Sequence, residues 1–269
     1  HYMSLMYNGD HPITAVEILS NLAWGLGYCG MPHILVRFMA IKNEKELKKS
    51  SVIAIVWVVL SLGLTVIIGV VGRAFLYPVI LGETEGAASA ESVFIEMIQK
   101  TFTELLPLAF VGGLFLCGIL AAIMSTADSQ LLVCSSSVSA DIYKNILKPD
   151  ADDKAVLKVG RITTIAVAVL AFIIAWDPNS SVMGLVSDAW AGLGAAFGPL
   201  VVMSLFWKRT NLQGAVAGLV SGAATVIIWD YLPLVHGETI GTATGLYSLL
   251  VGFIVSIIFI VVVSLATKA

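Results

Sequence analysis

Long apolar stretches constrain the fold of this chain more than any other feature. A helix needs about 20 mostly apolar residues to cross a bilayer. Seven stretches meet that length: residues 12–36, 51–72, 107–133, 159–176, 184–206, 213–231 and 245–266. A β-barrel is excluded, because its strands read as alternating segments of about 10 residues, whereas these stretches are continuous. The sequence therefore predicts an all-α membrane protein with seven transmembrane helices, for which the lipid bilayer is an obligate partner.

The basic residues predict how the chain crosses the membrane. Lys and Arg gather in cytoplasmic loops, and 13 of the 15 here follow the first, third, fifth or seventh stretch. Only Arg73 and Lys100 lie in the long acidic loop on the other side. We therefore expect a multi-pass protein of the cell membrane, with the N-terminus of this chain outside and its C-terminus in the cytoplasm. The formal charge of −3 provides no basic surface and excludes nucleic acid as a partner.

The first stretch carries an unusual density of helix-breaking residues. Three glycines precede Pro32 within eight residues, at 25, 27 and 30. Such a cluster favours a broken helix, and broken helices in transporters expose backbone carbonyls to substrate and ions. Trp24 and Tyr28 flank the break at helical spacing and could line a small-molecule site. Close helix packing by glycine is the alternative for the break, and lipid or core packing is the alternative for the two aromatic residues.

The third stretch contains a polar cluster inside apolar sequence. Ala122, Ser125, Thr126 and Ser129 share one helical face, and Asp128 is displaced from Ser125 by about 60°. Hydroxyl and carbonyl oxygens of this kind suit a hard cation such as Na+. Hydrogen bonding between helices remains the alternative for the hydroxyls, and a protonated or hydrogen-bonded side chain remains the alternative for Asp128.

Two later stretches are rich in small residues. In the fifth stretch, glycines and alanines precede Pro199, and we interpret this segment as a hinge or gate. In the sixth, Gly214, Gly218 and Gly222 predict a close helix–helix seam. Asp188, a few residues into the fifth stretch, is either interfacial or functional.

Three motifs resemble the sodium:solute symporter family. They are Trp24-Gly-Leu-Gly-Tyr28 with Pro32-His33, Ile119-Leu-Ala-Ala-Ile-Met-Ser-Thr126 with Gln130-Leu-Leu-Val133, and Ala189-Trp-Ala-Gly192 with Gly194-Ala-Ala-Phe-Gly-Pro199. The resemblance implies a LeuT-type inverted-repeat fold. Residues 1–210 would be its second five-helix repeat, and residues 211–269 would be two peripheral C-terminal helices.

The same resemblance implies site residues and partners. Trp24, Tyr28 and Pro32 match residues that line the family's solute site. Ala122, Ser125 and Thr126 match its sodium site, and Asp128 with Ser129 matches a second sodium site found in some members. A sodium-coupled symporter of a proline-like small solute is then expected, with Na+ as the transported coupling ion. The N-terminal repeat would be a missing partner, since the chain reads as a C-terminal fragment.

A seven-helix receptor or sensor without transport is the competing interpretation, because it shares the same span count and orientation. An enzyme is not expected, since neither HExxH nor GxSxG occurs in a predicted span.

Overall fold

The fold is helical almost throughout in the computed structural model, which describes residues 7–8, 11–86, 88–176, 181–235 and 237–267. A two-stranded antiparallel hairpin, β1 (Tyr7–Asn8) and β2 (His11–Pro12), precedes the helices. Lys268, one of the residues used to predict orientation, lies outside the described residues. The all-α prediction is confirmed.

The first apolar stretch is broken where its glycines and proline predict. Helix α1 (Ala15–Gly27) begins at a capping box in which Thr14 and Glu17 satisfy each other's backbone N–H groups. A 3-10 turn over Tyr28–Gly30 follows, then Met31 in an extended conformation. Helix α2 (Pro32–Met39) starts with proline at its first position, where the missing N–H costs no hydrogen bond.

Six helices in the described part of the chain are long and apolar enough to span a bilayer. They are α3 (Glu44–Leu76), α5 (Ala109–Ser136) with its wider π-helical continuation Ser137–Leu147, α6 (Asp153–Ala175), α7 (Val182–Phe206), α8 (Leu212–Tyr231) and α10 (Ser248–Ala266). Helix α4 (Val93–Gln99) precedes α5, and the short α9 (Ile240–Thr244) precedes α10. The stretch predicted over 12–36 is not among the six, because the break divides it into helices of 13 and eight residues.

The chain forms two compact units, residues 1–39 with 179–269, and residues 40–178. The core of the first unit lies where α7, α8 and α10 meet, around Ala191, Ala195, Val226 and Leu249. The predicted glycine seam is confirmed at this junction. A Cβ on Gly214 would collide with Ser264, and a Cβ on Gly222 would collide with the Ala195 carbonyl.

The second unit contains α3, α4, α5 and α6. Helix α4 lies in the long acidic loop, and its Ile98 side chain is buried. The connection between the π-helical turns and α6 is short. The π-helical turns continue to Leu147, and α6 begins at Asp153, where Asp152 caps it by accepting a hydrogen bond from the Ala155 N–H.

Candidate functional site

Four aromatic rings form a continuous cluster beside the broken helix. The Trp24 ring stacks with two others, its centroid lying 6.0 Å from that of Trp190 and 5.6 Å from that of Tyr247. The Tyr28 ring meets Trp190 edge-on at 4.9 Å. Both geometries are favourable for aromatic pairs. Trp24 and Tyr28, which helical spacing places on one face, are therefore connected by Trp190, whose ring contacts both.

A hydrogen bond at the break connects α1 to α7. The Tyr28 N–H donates to the Leu26 carbonyl rather than to that of Trp24, four residues back. The Trp24 carbonyl instead accepts from the indole Nε1–H of Trp190 at 3.0 Å. A side chain of α7 thus replaces the backbone donor that the break removes, as an apolar environment requires.

Close backbone approach between the break and α7 explains the glycines on both segments. A Cβ on Gly30 would lie 2.6 Å from the Leu193 carbonyl oxygen and 2.8 Å from the Gly194 Cα. A Cβ on Gly194 would lie 2.9 Å from the Gly27 Cα, and one on Gly27 would collide with the Trp190 indole. A side chain at any of these three positions would clash with the opposite segment, so glycine is required there for steric reasons.

The cluster leaves Tyr28 accessible. Tyr28 is 54% exposed, whereas Trp24 and Trp190 are half-buried. Pro32 is half-buried at the start of α2, beyond the 3-10 turn. An exposed phenol beside a fixed aromatic wall offers a small ligand apolar contact area and one hydrogen-bonding group.

The predicted ion ligands lie on α5, in the other compact unit. The side chains of Ala122, Ser125, Thr126 and Asp128 are exposed there, and Ser129 is half-buried. The Thr126 hydroxyl donates to the Ala122 carbonyl at 3.3 Å, and the Ser129 hydroxyl donates to the Ser125 carbonyl at 2.9 Å. Because each hydroxyl has only one proton, its lone pairs are left to accept further partners.

Sequence reasoning missed two members of the aromatic cluster, Trp190 and Tyr247. Trp190 lies within one of the family motifs, but the motif does not indicate that its side chain contacts Trp24. The Tyr247 hydroxyl donates to the Ser187 carbonyl at 2.7 Å, and its N–H donates to the Ser20 hydroxyl at 3.0 Å. These bonds hold the Tyr247 ring against Trp24, and no local pattern indicates them.

The apolar helices indicate a multi-pass membrane protein, and its aromatic cluster lies beside a break in the helix backbone. The chain belongs to the sodium:solute symporter family, whose sequence model matches residues 6–222. The family prediction is therefore confirmed, and the family is named for the symport of sodium with a solute.

Three relatives illustrate the similarity. The high-affinity proline transporter PutP of Bacillus subtilis is 42% identical over 98% of this chain and 52% of its own length. The osmoregulated proline transporter OpuE of the same organism is 41% identical over 95% of this chain and 49% of its own length. The sodium/proline symporter of Staphylococcus aureus is 45% identical, also over 95% of this chain and 49% of its own length. The chain thus spans about half the length of these relatives. No solved structure matches it.

Proposed function

We propose that the full protein containing this chain is a symporter that uses the sodium gradient to import proline or a similar small solute. The broken first helix with its aromatic cluster carries this proposal, because unwound backbone at membrane depth persists only where it lines a cavity. The names of relatives at 41–45% identity support both the sodium coupling and the proline-like solute.

In this proposal Trp24, Tyr28 and Pro32 contact the solute. The exposed Tyr28 ring supplies contact area and a hydroxyl, and Trp24 supplies a wall whose orientation is fixed by its stacking partners. Pro32 ends the unwound segment and so sets its length. Rigid aromatic walls suit a compact solute because little freedom is lost on binding.

Sodium binding is assigned to the polar face of α5. Ala122 contributes its carbonyl oxygen, and Ser125 and Thr126 contribute hydroxyl oxygens. The Thr126 hydroxyl proton is already donated within the helix, which leaves the oxygen oriented as an acceptor and favours a cation over an anion. Asp128 and Ser129 are assigned to a second sodium ion. A charged carboxylate in a membrane needs such a partner to offset a cost of at least ~2.5 kcal/mol.

The architecture belongs to the same proposal. The broken segment counts as the first of seven spans in a LeuT-type inverted-repeat fold. Residues 1–210 form its second five-helix repeat, and residues 211–269 form two peripheral helices. The first repeat lies in the rest of the protein and completes both sites. The chain enters from outside the cell membrane and ends in the cytoplasm, as the distribution of Lys and Arg favours.

Uptake of labelled proline by proteoliposomes containing the full-length protein tests the proposal. An inward sodium gradient should drive accumulation, and an equal potassium gradient should not. Accumulation that is independent of sodium would contradict the coupling. Proline binding without any uptake would favour the receptor interpretation instead.

A further inference from the structure

An open cavity lies at one end of the first compact unit, next to the aromatic cluster. Its volume is about 340 Å³, at the lower end of the range for small-molecule sites. Its lining mixes carboxylates, hydroxyls and aromatic rings, and includes Ser20, Trp24, Asp188, Asp230, Tyr247 and Ser248. We call it the Asp188–Asp230 cavity. Trp24 belongs to both this cavity and the aromatic cluster, so the two are continuous.

Both carboxylates of the cavity are held by neutral donors. Asp188 Oδ2 accepts a hydrogen bond from the Tyr231 hydroxyl at 2.8 Å. Asp230 Oδ2 accepts one from the Ser248 hydroxyl at 2.5 Å. The other oxygen of Asp230 faces Gly241, where a Cβ would lie 3.0 Å away. The carboxylates are therefore held in position by neutral hydrogen-bond donors, and neither forms an ion pair with a residue that the structure describes.

No ion pair within the described residues neutralises these charges. The two ion pairs of the described chain, Lys49–Glu46 and Lys144–Asp153, both belong to the other unit. Lys208 and Arg209 precede α8, whereas Asp230 lies at its C-terminal end. A helix of 20 residues is about 30 Å long, far beyond the reach of an ion pair. Among the residues that the structure describes, no Lys or Arg pairs with either carboxylate, so both can accept a cation from solution.

The size and aromatic lining of the cavity favour an organic cation. A calcium ion takes roughly six to eight oxygen ligands at about 2.3–2.6 Å, and aromatic rings supply none of these ligands. The rings of Trp24 and Tyr247 instead offer apolar contact to the carbon atoms of an amine. Two fixed carboxylates provide charge-assisted hydrogen-bond acceptors for its N–H groups.

We propose that the Asp188–Asp230 cavity is an additional binding site for the cationic nitrogen of the solute, occupied before the solute reaches Tyr28. The proposal rests on the proposed function for the identity of the solute. The carboxylates concentrate the amine at the mouth of the aromatic cluster, and Trp24 is the surface along which it moves from one site to the other.

Binding of pyrrolidine, which has the charged nitrogen of proline but no carboxylate, tests the cavity directly. Calorimetry on the purified full-length protein should show pyrrolidine binding that is about 10-fold weaker in the double variant Asp188→Asn and Asp230→Asn, as expected for loss of a charge-assisted hydrogen bond. The asparagine oxygens can still accept from Tyr231 and Ser248, so the local hydrogen bonds are kept. The KM for proline uptake should rise by a similar factor, with the half-saturating sodium concentration unchanged.

Glu238→Gln is the matched control, because it removes an exposed carboxylate of the α8–α9 connection that does not line the cavity. It should leave both measurements at the wild-type value. If the double variant folds poorly, the single variant Asp188→Asn provides the test, because Asp188 is exposed and its replacement does not disturb the core. Its pyrrolidine affinity should be several-fold weaker than that of the wild type.

The cavity assignment would be overturned if the double variant and Asp188→Asn both bound pyrrolidine with wild-type affinity. It would also be overturned if they raised the half-saturating sodium concentration and left pyrrolidine affinity unchanged. The proposed function fails separately, if the wild-type protein binds pyrrolidine through these carboxylates but takes up no proline on a sodium gradient.

Discussion

Replacing Gly30 by alanine tests whether the broken segment is held by direct backbone contact with α7. The added Cβ would meet the Leu193 carbonyl oxygen at 2.6 Å, the Gly194 Cα at 2.8 Å and the Gly198 N at 2.9 Å. All three atoms are backbone, so no side chain can rotate away. Restoring ordinary contact at 3.4 Å requires a displacement of about 0.8 Å at the tightest point. Overpacking of this kind costs about 1–3 kcal/mol.

Gly25→Ala is the matched control, five residues earlier on the same segment. Nothing lies within 4 Å of a Cβ at that position, and alanine has the higher helix propensity. Thermal melting of the purified full-length protein should show a clear decrease for Gly30→Ala and no decrease for Gly25→Ala. Uptake should show a raised KM for the solute only in Gly30→Ala, because the displaced segment carries Tyr28. Equal melting temperatures for Gly30→Ala and wild type would refute the claim that the contact between Gly30 and the α7 backbone leaves no room for a methyl group.

Three further predictions concern the proposed solute and sodium sites. Trp24→Ala and Tyr28→Ala should each raise the KM for the solute more than the half-saturating sodium concentration; unchanged KM in both would remove the rings from the solute site. Ser125→Ala and Thr126→Ala should raise the sodium concentration needed for half-maximal uptake, and a fall in maximal rate alone would assign the hydroxyls to packing. Asp128→Asn should lower the Hill coefficient for sodium toward one, whereas an unchanged coefficient would rule out a second ion at this residue.

The broken helix could be predicted because its causes are local. Proline lacks an N–H, and the glycines remove the side chains that would keep the segment apart from α7. The Trp190–Trp24 hydrogen bond could not be predicted in this way, since the two residues are 166 positions apart.

The candidate ion site could also be predicted only in part, namely where it depends on spacing within one helix. Helical periodicity places Ser125 and Ser129 on one face, and the hydrogen bond from the Ser129 hydroxyl to the Ser125 carbonyl is a consequence of that four-residue spacing. Coordination of an ion depends on oxygens from several elements, which the spacing on α5 does not specify.

The glycine seam limits how this half of the protein can move. Sliding α8 along α10 by one residue would bring Ala215, Leu219 and Ala223 toward the space now filled by Gly214, Gly218 and Gly222. Ser264, Ile260 and the Ala195 carbonyl already close that space to a single methyl group. A slide of one residue is therefore closed, whereas a shift of one full turn would bring Gly218 to the place of Gly214 and keep glycine in the seam. Small displacements of α8 are resisted on two sides, by α10 through Ser264 and Ile260 and by α7 through the Ala195 carbonyl.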